Sequence, residues 1–232
     1  MTSPPRWFTA LSKVLNEHDK SSLYQLATVD SSNKPHVRSH IHRGFLVPPS
    51  LPALLLLLTN TDSRTEKTTQ IAYSDAVELA WWIGGSSDQF RISGRARVVS
   101  APERGSRGVP AHDKECSAIA SLDAVSFDWE AKRREAFNAI SERMRASFCH
   151  PEPGGYGDAE NWVSTVKKQQ DAQTDEEKKN TEVALSNFAL VVIEPFEVDW
   201  VQMGIVPNQR TRFWREGNAW KDQAVARKAE RL

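Results

Sequence analysis

Hydrophobic positions change period along the chain, and each change marks an element. In "PPRWFTALSKVLNEH" the apolar Phe8, Leu11 and Leu15 recur at helical spacing, and the leading prolines suit a first helical turn. The period then shortens to two. "SLYQLATVD" and "HVRSHIHRGF" alternate as strands, and the polar turn "SSNK" between them makes a hairpin. "VPPSLP" interrupts the pattern before "ALLLLLTN", an apolar run that predicts a strand buried on both faces. "SRTEKTTQIAYS" is polar and fits a helix of about two to three turns. "AVELAWWIG" and "QFRISGRARVVS" are strands again, separated by "GSSD". Residues 1–100 therefore predict a helix, then a meander of about five antiparallel strands with one helical crossover.

The middle of the chain changes character. "DWEAKRREAFNAISERMRASF" (128–148) predicts one amphipathic helix with many i,i+4 opposite-charge neighbours, and "CHPEPGGYGD" is a loop. Residues 164–185 carry dense charge and almost no large apolar side chains, which marks a charged insertion, mobile or an exposed helix. "FALVVIEPFEVDWVQM" and "QRTRFWREGNAWKDQAV" resume strand character and are expected to close the barrel. The expected architecture is one domain over 1–232, a β-barrel with helices (α+β).

Composition narrows the function. Thirty basic and thirty acidic residues cancel, so no basic excess points to nucleic acid or a membrane surface. The 39% hydrophobic fraction, with eight tryptophans, is enough for a core. Cys116 and Cys149 lack zinc-type spacing and suggest a reduced, cytoplasmic setting. The N-terminus lacks the apolar stretch of a secretory signal, and the leucine run at 54–58 is too short to span a bilayer.

"HVRSHIHRGF" places His36, Arg38, His40 and His42 on one strand face. That face reads as a metal site, an anion site or a solvated surface. Arg38 among the histidines argues against a divalent ion, and no acidic or cysteine partner is arranged to complete a site, so no metal is expected. No Walker loop, GxGxxG, HExxH or GxSxG occurs, and no spacing supports a serine or cysteine nucleophile. His18, His112 and His150 are scattered. The positive signal is anion-binding chemistry: Arg38 and Arg43 on the second strand, then Thr59, Ser63, Arg64 and Lys67 where the third strand gives way to a helix. Gln89 opens a later strand, where its amide suits the edge of a planar ring.

In these blocks the chain resembles the pyridoxamine 5'-phosphate oxidase-like FMN-binding split barrels. "VRSHIHRGF" is similar to the family's Arg, four mostly apolar residues, then a basic residue. "LLLTNTDSRTEKTTQIAYSDAVELAWW" parallels its Thr-Asn, Ser-Arg-Lys and Gln-Ile elements before a strand ending in Trp. "DQFRISGRARVV" resembles Arg-Gln-aliphatic-x-aliphatic-x-Gly, and "DWVQMGIVPNQRTRFWREGNAW" keeps the family's late Trp-to-Arg-to-Trp spacing. The resemblance implies an antiparallel six-stranded split barrel. Arg38 and Lys67, helped by Ser63 and Arg64, would bind the FMN phosphate. Ser39, His40, Ile41, Leu58 and Thr59 would line the flavin, with Arg43 near it and Gln89 bonded to its ring or ribityl chain. Trp200 and Arg210 match late flavin-contacting positions that reach in from a partner subunit, which implies a homodimer with FMN at the interface.

Departures from the pattern are equally informative. The family's substrate-gripping Arg-x-His is Val206 and Asn208 here, and the substrate-side Tyr, Arg and Ser have no match in "AFNAISERMRASF". Two residues are inserted between Arg64 and the Gln-Ile element, leaving Arg64 and Glu66 as alternatives for one position. The expected function is an FMN-dependent oxidoreductase that has lost the vitamin B6 site and acts on another small molecule. A non-catalytic flavin-binding protein is the alternative. Haem binding, resting on His36, His40 and His42, is a third reading.

Overall fold

Among the described residues, nine strands form one antiparallel sheet. The structure is a computed structural model and describes residues 4–104, 117–153 and 164–225. His112 and Cys116 lie outside the described residues.

Helix α1 (Arg6–Glu17) opens the chain, and its buried stripe is Trp7, Leu11 and Val14, with Phe8 and Leu15 packed alongside. The stripe is rotated by about one residue from the predicted one, because the Trp7 indole has the larger apolar surface to bury. Strands β1 (Leu23–Val29) and β2 (Pro35–Ile41) form the expected hairpin. The expected long second strand breaks at His42–Arg43, and Gly44–Leu46 becomes a separate short strand, β3. The turn is made at Gly44, whose φ of 124° an L side chain rarely adopts. Strand β4 (Leu56–Asp62), helix α2 (Glu66–Tyr73), β5 (Ala76–Ile83) and β6 (Asp88–Val99) then follow in the expected order.

Strand β7 (Phe188–Gln202) is the spine. One edge pairs with β6 along its length, with a bulge at Ser93/Gly94. A Cβ on Gly94 would lie 2.5 Å from the Glu194 carbonyl oxygen, so the bulge requires glycine. The other edge pairs first with β4 and then with β8 (Gln209–Glu216), which turns at Gly217 into β9 (Ala219–Ala224). Among the described residues the sheet thus has nine strands where six were expected, in the order β2-β1-β5-β6-β7-β4-β3 with β8 added to β7 and β9 to β8, and it does not close. Strands β2 and β3 stand at the two ends of the main path, and β9 ends the branch from β7.

The predicted helix over 128–148 is two helices, α4 (Trp129–Ala139) and α5 (Glu142–Ser147), preceded by α3 (Ala118–Ala124). The break falls at Ser141, whose hydroxyl caps α5 at the Met144 N–H. Part of the charged segment is helix α6 (Asp175–Asn187), started by a Thr174–Glu177 capping box. It is docked, not free: Ala184 and Leu185 join Phe137, Ile140, Ala146, Phe148, Val166 and Phe188 in a small core of their own. No helix among the described residues is long and apolar enough to cross a membrane.

Candidate functional site

The split in the sheet is where chemistry collects. Among the described residues, β2 pairs only with β1, and β3 covers β4 only as far as Leu58, so residues 59–62 pair only with β7. One side-chain and one backbone hydrogen bond bridge the gap. The Thr59 hydroxyl donates to the Ile41 carbonyl at 2.8 Å, and the Arg43 N–H donates to the Leu58 carbonyl at 2.8 Å. Beside this seam lies a cavity of about 320 Å³ walled by Ser39, His40, Ile41 and Arg43, by Asn60, Thr61, Asp62, Thr65 and Lys67, and by Met144, Ser147, Phe148 and Pro153.

Donors dominate the polar wall. Asn60 accepts from Arg43 Nε at 2.7 Å, which fixes the guanidinium and leaves its two terminal nitrogens without a partner among the described residues. Burial lowers the pKa of Arg43. Lys67 Nζ donates to Thr61 Oγ1 at 2.8 Å. Burial, reinforced by the nearby Arg38 charge, pushes the Lys67 ammonium down to about 8. Thr65, at the N-cap of α2, turns its hydroxyl back to the Asp62 carbonyl instead of capping the helix. The wall's only carboxylate among the described residues, Asp62, is gripped by Arg64 through both oxygens at 2.9 and 2.6 Å. The cavity therefore presents cations and N–H groups toward its contents and suits an anionic, acceptor-rich ligand.

Not every expected residue reaches it. Arg38 lies outside the wall: one terminal nitrogen donates to Thr28 Oγ1 at 2.6 Å and the other to Gln70 Oε1 at 2.7 Å, and it acts on Lys67 only through its charge. Arg64 is taken up by Asp62 and by the Phe148 and His150 carbonyls. The Ser63 hydroxyl is buried without a partner among the described residues and does not line the cavity. Leu58 packs into the cluster of Leu54, Leu56, Val99, Ile119 and Leu122. Thr59 lies at the seam, one residue short of the wall.

The remaining three candidates stand far along the sheet. Gln89 lies between Trp82 and Val201, Trp200 stacks on Phe90 and donates to Asp88, and Arg210 pairs with Asp199 at 2.6 Å. The histidines do not converge. His36 pairs with Asp30, His42 lies between the Phe45 and Trp81 rings, and His40 bonds Thr59. No group of three His, Cys, Asp or Glu side chains suited to a metal occurs among the described residues.

Asn60, Thr61, Asp62 and Thr65 were missed, although the polar tail "TNTD" after a leucine run signals a strand leaving the core. Met144, Ser147, Phe148 and Pro153 left no local signal, because they reach the cavity only through tertiary docking of α5.

Residues 4–100 match the model of the pyridoxamine 5'-phosphate oxidase FMN-binding domain. The chain is similar to pyridoxine/pyridoxamine 5'-phosphate oxidase 2 of Arabidopsis thaliana, 26% identical over 199 residues, covering 85% of this chain and 81% of the relative. Among solved structures, it shares its fold with a pyridoxamine 5'-phosphate oxidase-related, FMN-binding protein of Nostoc punctiforme. The TM-score is 0.70 at 22% identity, over 97% of this chain and all of that one. PhzG of Burkholderia lata aligns with a TM-score of 0.59 at 15% identity, over 96% and 93% of the two chains. The likeness to the pyridoxamine 5'-phosphate oxidase-like FMN-binding proteins, drawn first from the motifs, holds.

Proposed function

Starting from a chain whose first hundred residues match a pyridoxamine 5'-phosphate oxidase-type FMN-binding domain, we propose that it binds FMN in the split beside β2 and β4 and serves as an FMN-dependent oxidoreductase. The observation that carries this reading is the donor-rich cavity wall, whose carboxylate, Asp62, is neutralised by Arg64. Lys67 and the uncapped first turn of α2 suit a phosphate, while the Arg43 fork and Asn60 suit the oxygens and nitrogens of a flavin edge. Ile41, Met144, Phe148 and Pro153 supply apolar surface for a planar ring. Bound FMN would supply hydride acceptance; the protein's part is to orient the ring, place a cation beside it and exclude water.

The sheet also supports a homodimer. Strand alternation places Leu23, Val37 and Trp82, all exposed, on one outer face with Gln89 and Arg210. Ser39 and Ile41, which wall the cavity, share that face. A second copy seated there would bring its Gln89 and Arg210 to the cavity rim, which accounts for their distance from the cavity within one chain. The whole chain would act as a single domain, with α6 part of its packing.

The substrate is not a B6 phosphate in this reading. Val206, where the family's clamp has arginine, is 97% exposed at the tip of the β7–β8 hairpin and offers no charge. The same loss favours the non-catalytic alternative, so reduction decides between the two. Stopped-flow mixing of the FMN-loaded protein with NADH or NADPH bleaches the flavin if it is an oxidoreductase. No bleaching with either, or with a broad panel of small donors, would leave a flavin-binding protein.

A further inference from the structure

Arg64 sits where the motif comparison puts a phosphate ligand, yet its donors are already committed. Its Nε and one terminal nitrogen grip the two oxygens of Asp62, and its terminal nitrogens reach the His150 carbonyl at 3.2 Å and the Phe148 carbonyl at 3.5 Å. Both members of this pair are largely shielded from solvent. Asp62 ends β4 and also accepts from the Arg64 N–H at 2.9 Å, which fixes the tight turn carrying the arginine. Phe148 and His150 follow α5, the helix that lays Met144 and Ser147 over the cavity. The Phe148 carbonyl is held from a second side by Asn187 Nδ2 at 2.8 Å, and Asn187 is itself anchored by Arg104.

We infer that Arg64 is a positioning residue, a latch that ties the cover formed by residues 144–153 to the end of β4, and that it makes no phosphate contact. A guanidinium is needed because two carboxylate oxygens and two carbonyls must be met at once by a planar fork; an ammonium has the charge but not the shape. The pair closes one side of the cavity: Asp62 lies in the wall, and Arg64 holds it from behind. The ligand arm of the test rests on the flavin reading above; the exchange arm does not.

Hydrogen exchange of the unliganded protein, read on peptides spanning 142–153, compares wild type with Arg64→Ala, Arg64→Lys and Asp62→Asn. All three variants are expected to exchange faster there by about tenfold or more, the factor implied by losing a charge-assisted pair. In the ligand arm, FMN and riboflavin are titrated against each protein. A latch weakens both flavins by the same factor, so their affinity ratio stays at the wild-type value, and Arg64→Lys behaves like Arg64→Ala. Unchanged exchange, with FMN weakened while riboflavin is not and Arg64→Lys close to wild type, would overturn the proposal and return Arg64 to the phosphate. If wild type takes up neither flavin, the flavin reading fails, and the exchange result alone decides the latch.

Discussion

Nδ1 of His40 lies 3.1 Å from Oγ1 of Thr59, whose own proton is given to the Ile41 carbonyl. The imidazole must therefore be the donor, which fixes its tautomer with Nδ1 protonated and Nε2 bare. That Nε2 is buried without a partner, in a residue only 4% exposed. Burial, with the charges of Lys67 and Arg38, pushes the ring down to about 3.

The consequence is acid sensitivity. In the unfolded chain His40 takes up a proton near pH 6.5, whereas the folded chain refuses it until about pH 3. The unfolded state binds more protons across that window, so stability falls as pH drops through it. Between pH 6.5 and 5 this one group costs about 2 kcal/mol. Urea unfolding at several pH values should show that slope reduced in His40→Leu, and nitrogen NMR should show no His40 titration above pH 5. A normal titration near 6.5 would contradict the buried neutral assignment.

Lys67 governs the opposite end of the pH scale. Its ammonium, lowered to about 8, must be charged to hold a phosphate. Above pH 8 binding has to take up a proton, so FMN affinity should fall by up to about tenfold per pH unit. Riboflavin, which lacks the phosphate, should show no such loss. Fluorescence titrations from pH 7 to 9.5 compare the two, and parallel curves would remove Lys67 from the phosphate.

Arg38 should matter more to folding than to the ligand. Its guanidinium satisfies Thr28 and Gln70, both buried, and those two side chains also bond each other at 2.5 Å. Arg38→Ala leaves polar atoms short of donors and should cost about 1–3 kcal/mol of stability. FMN affinity should fall less than in Lys67→Ala. Thermal melts with matched titrations check both, and an affinity loss larger than that of Lys67→Ala would restore Arg38 as the main anchor.

How much of this was legible depends on how local each feature is. Strand alternation placed β1, β5 and β6 within about a residue, because one face of each is largely buried, whereas the expected second strand ran four residues past the end of β2. Lys67 and Arg43 stood out as cations beside a strand end, and both line the cavity. The short β3 was hidden because a single backbone turn at Gly44 decides it. The helix break at Ser141 was hidden because its flanks keep helical composition, although the serine that caps α5 was in view. The full set of Arg64's partners was hidden for a different reason. Asp62, its partner two residues upstream, is visible in "DSR", but the Phe148 and His150 carbonyls that complete its site lie more than eighty residues away. The open sheet follows from the same cause, since which strand edges stay unpaired is set by long-range pairing.

The central claim is that the split beside β2 and β4 holds FMN, and equilibrium titration of the purified, flavin-free protein with FMN tests it most directly. Saturation near one FMN per chain is expected, with the flavin fluorescence altered on binding and the affinity clearly reduced in Lys67→Ala. A protein that leaves FMN fluorescence and absorption unchanged at every concentration would contradict it.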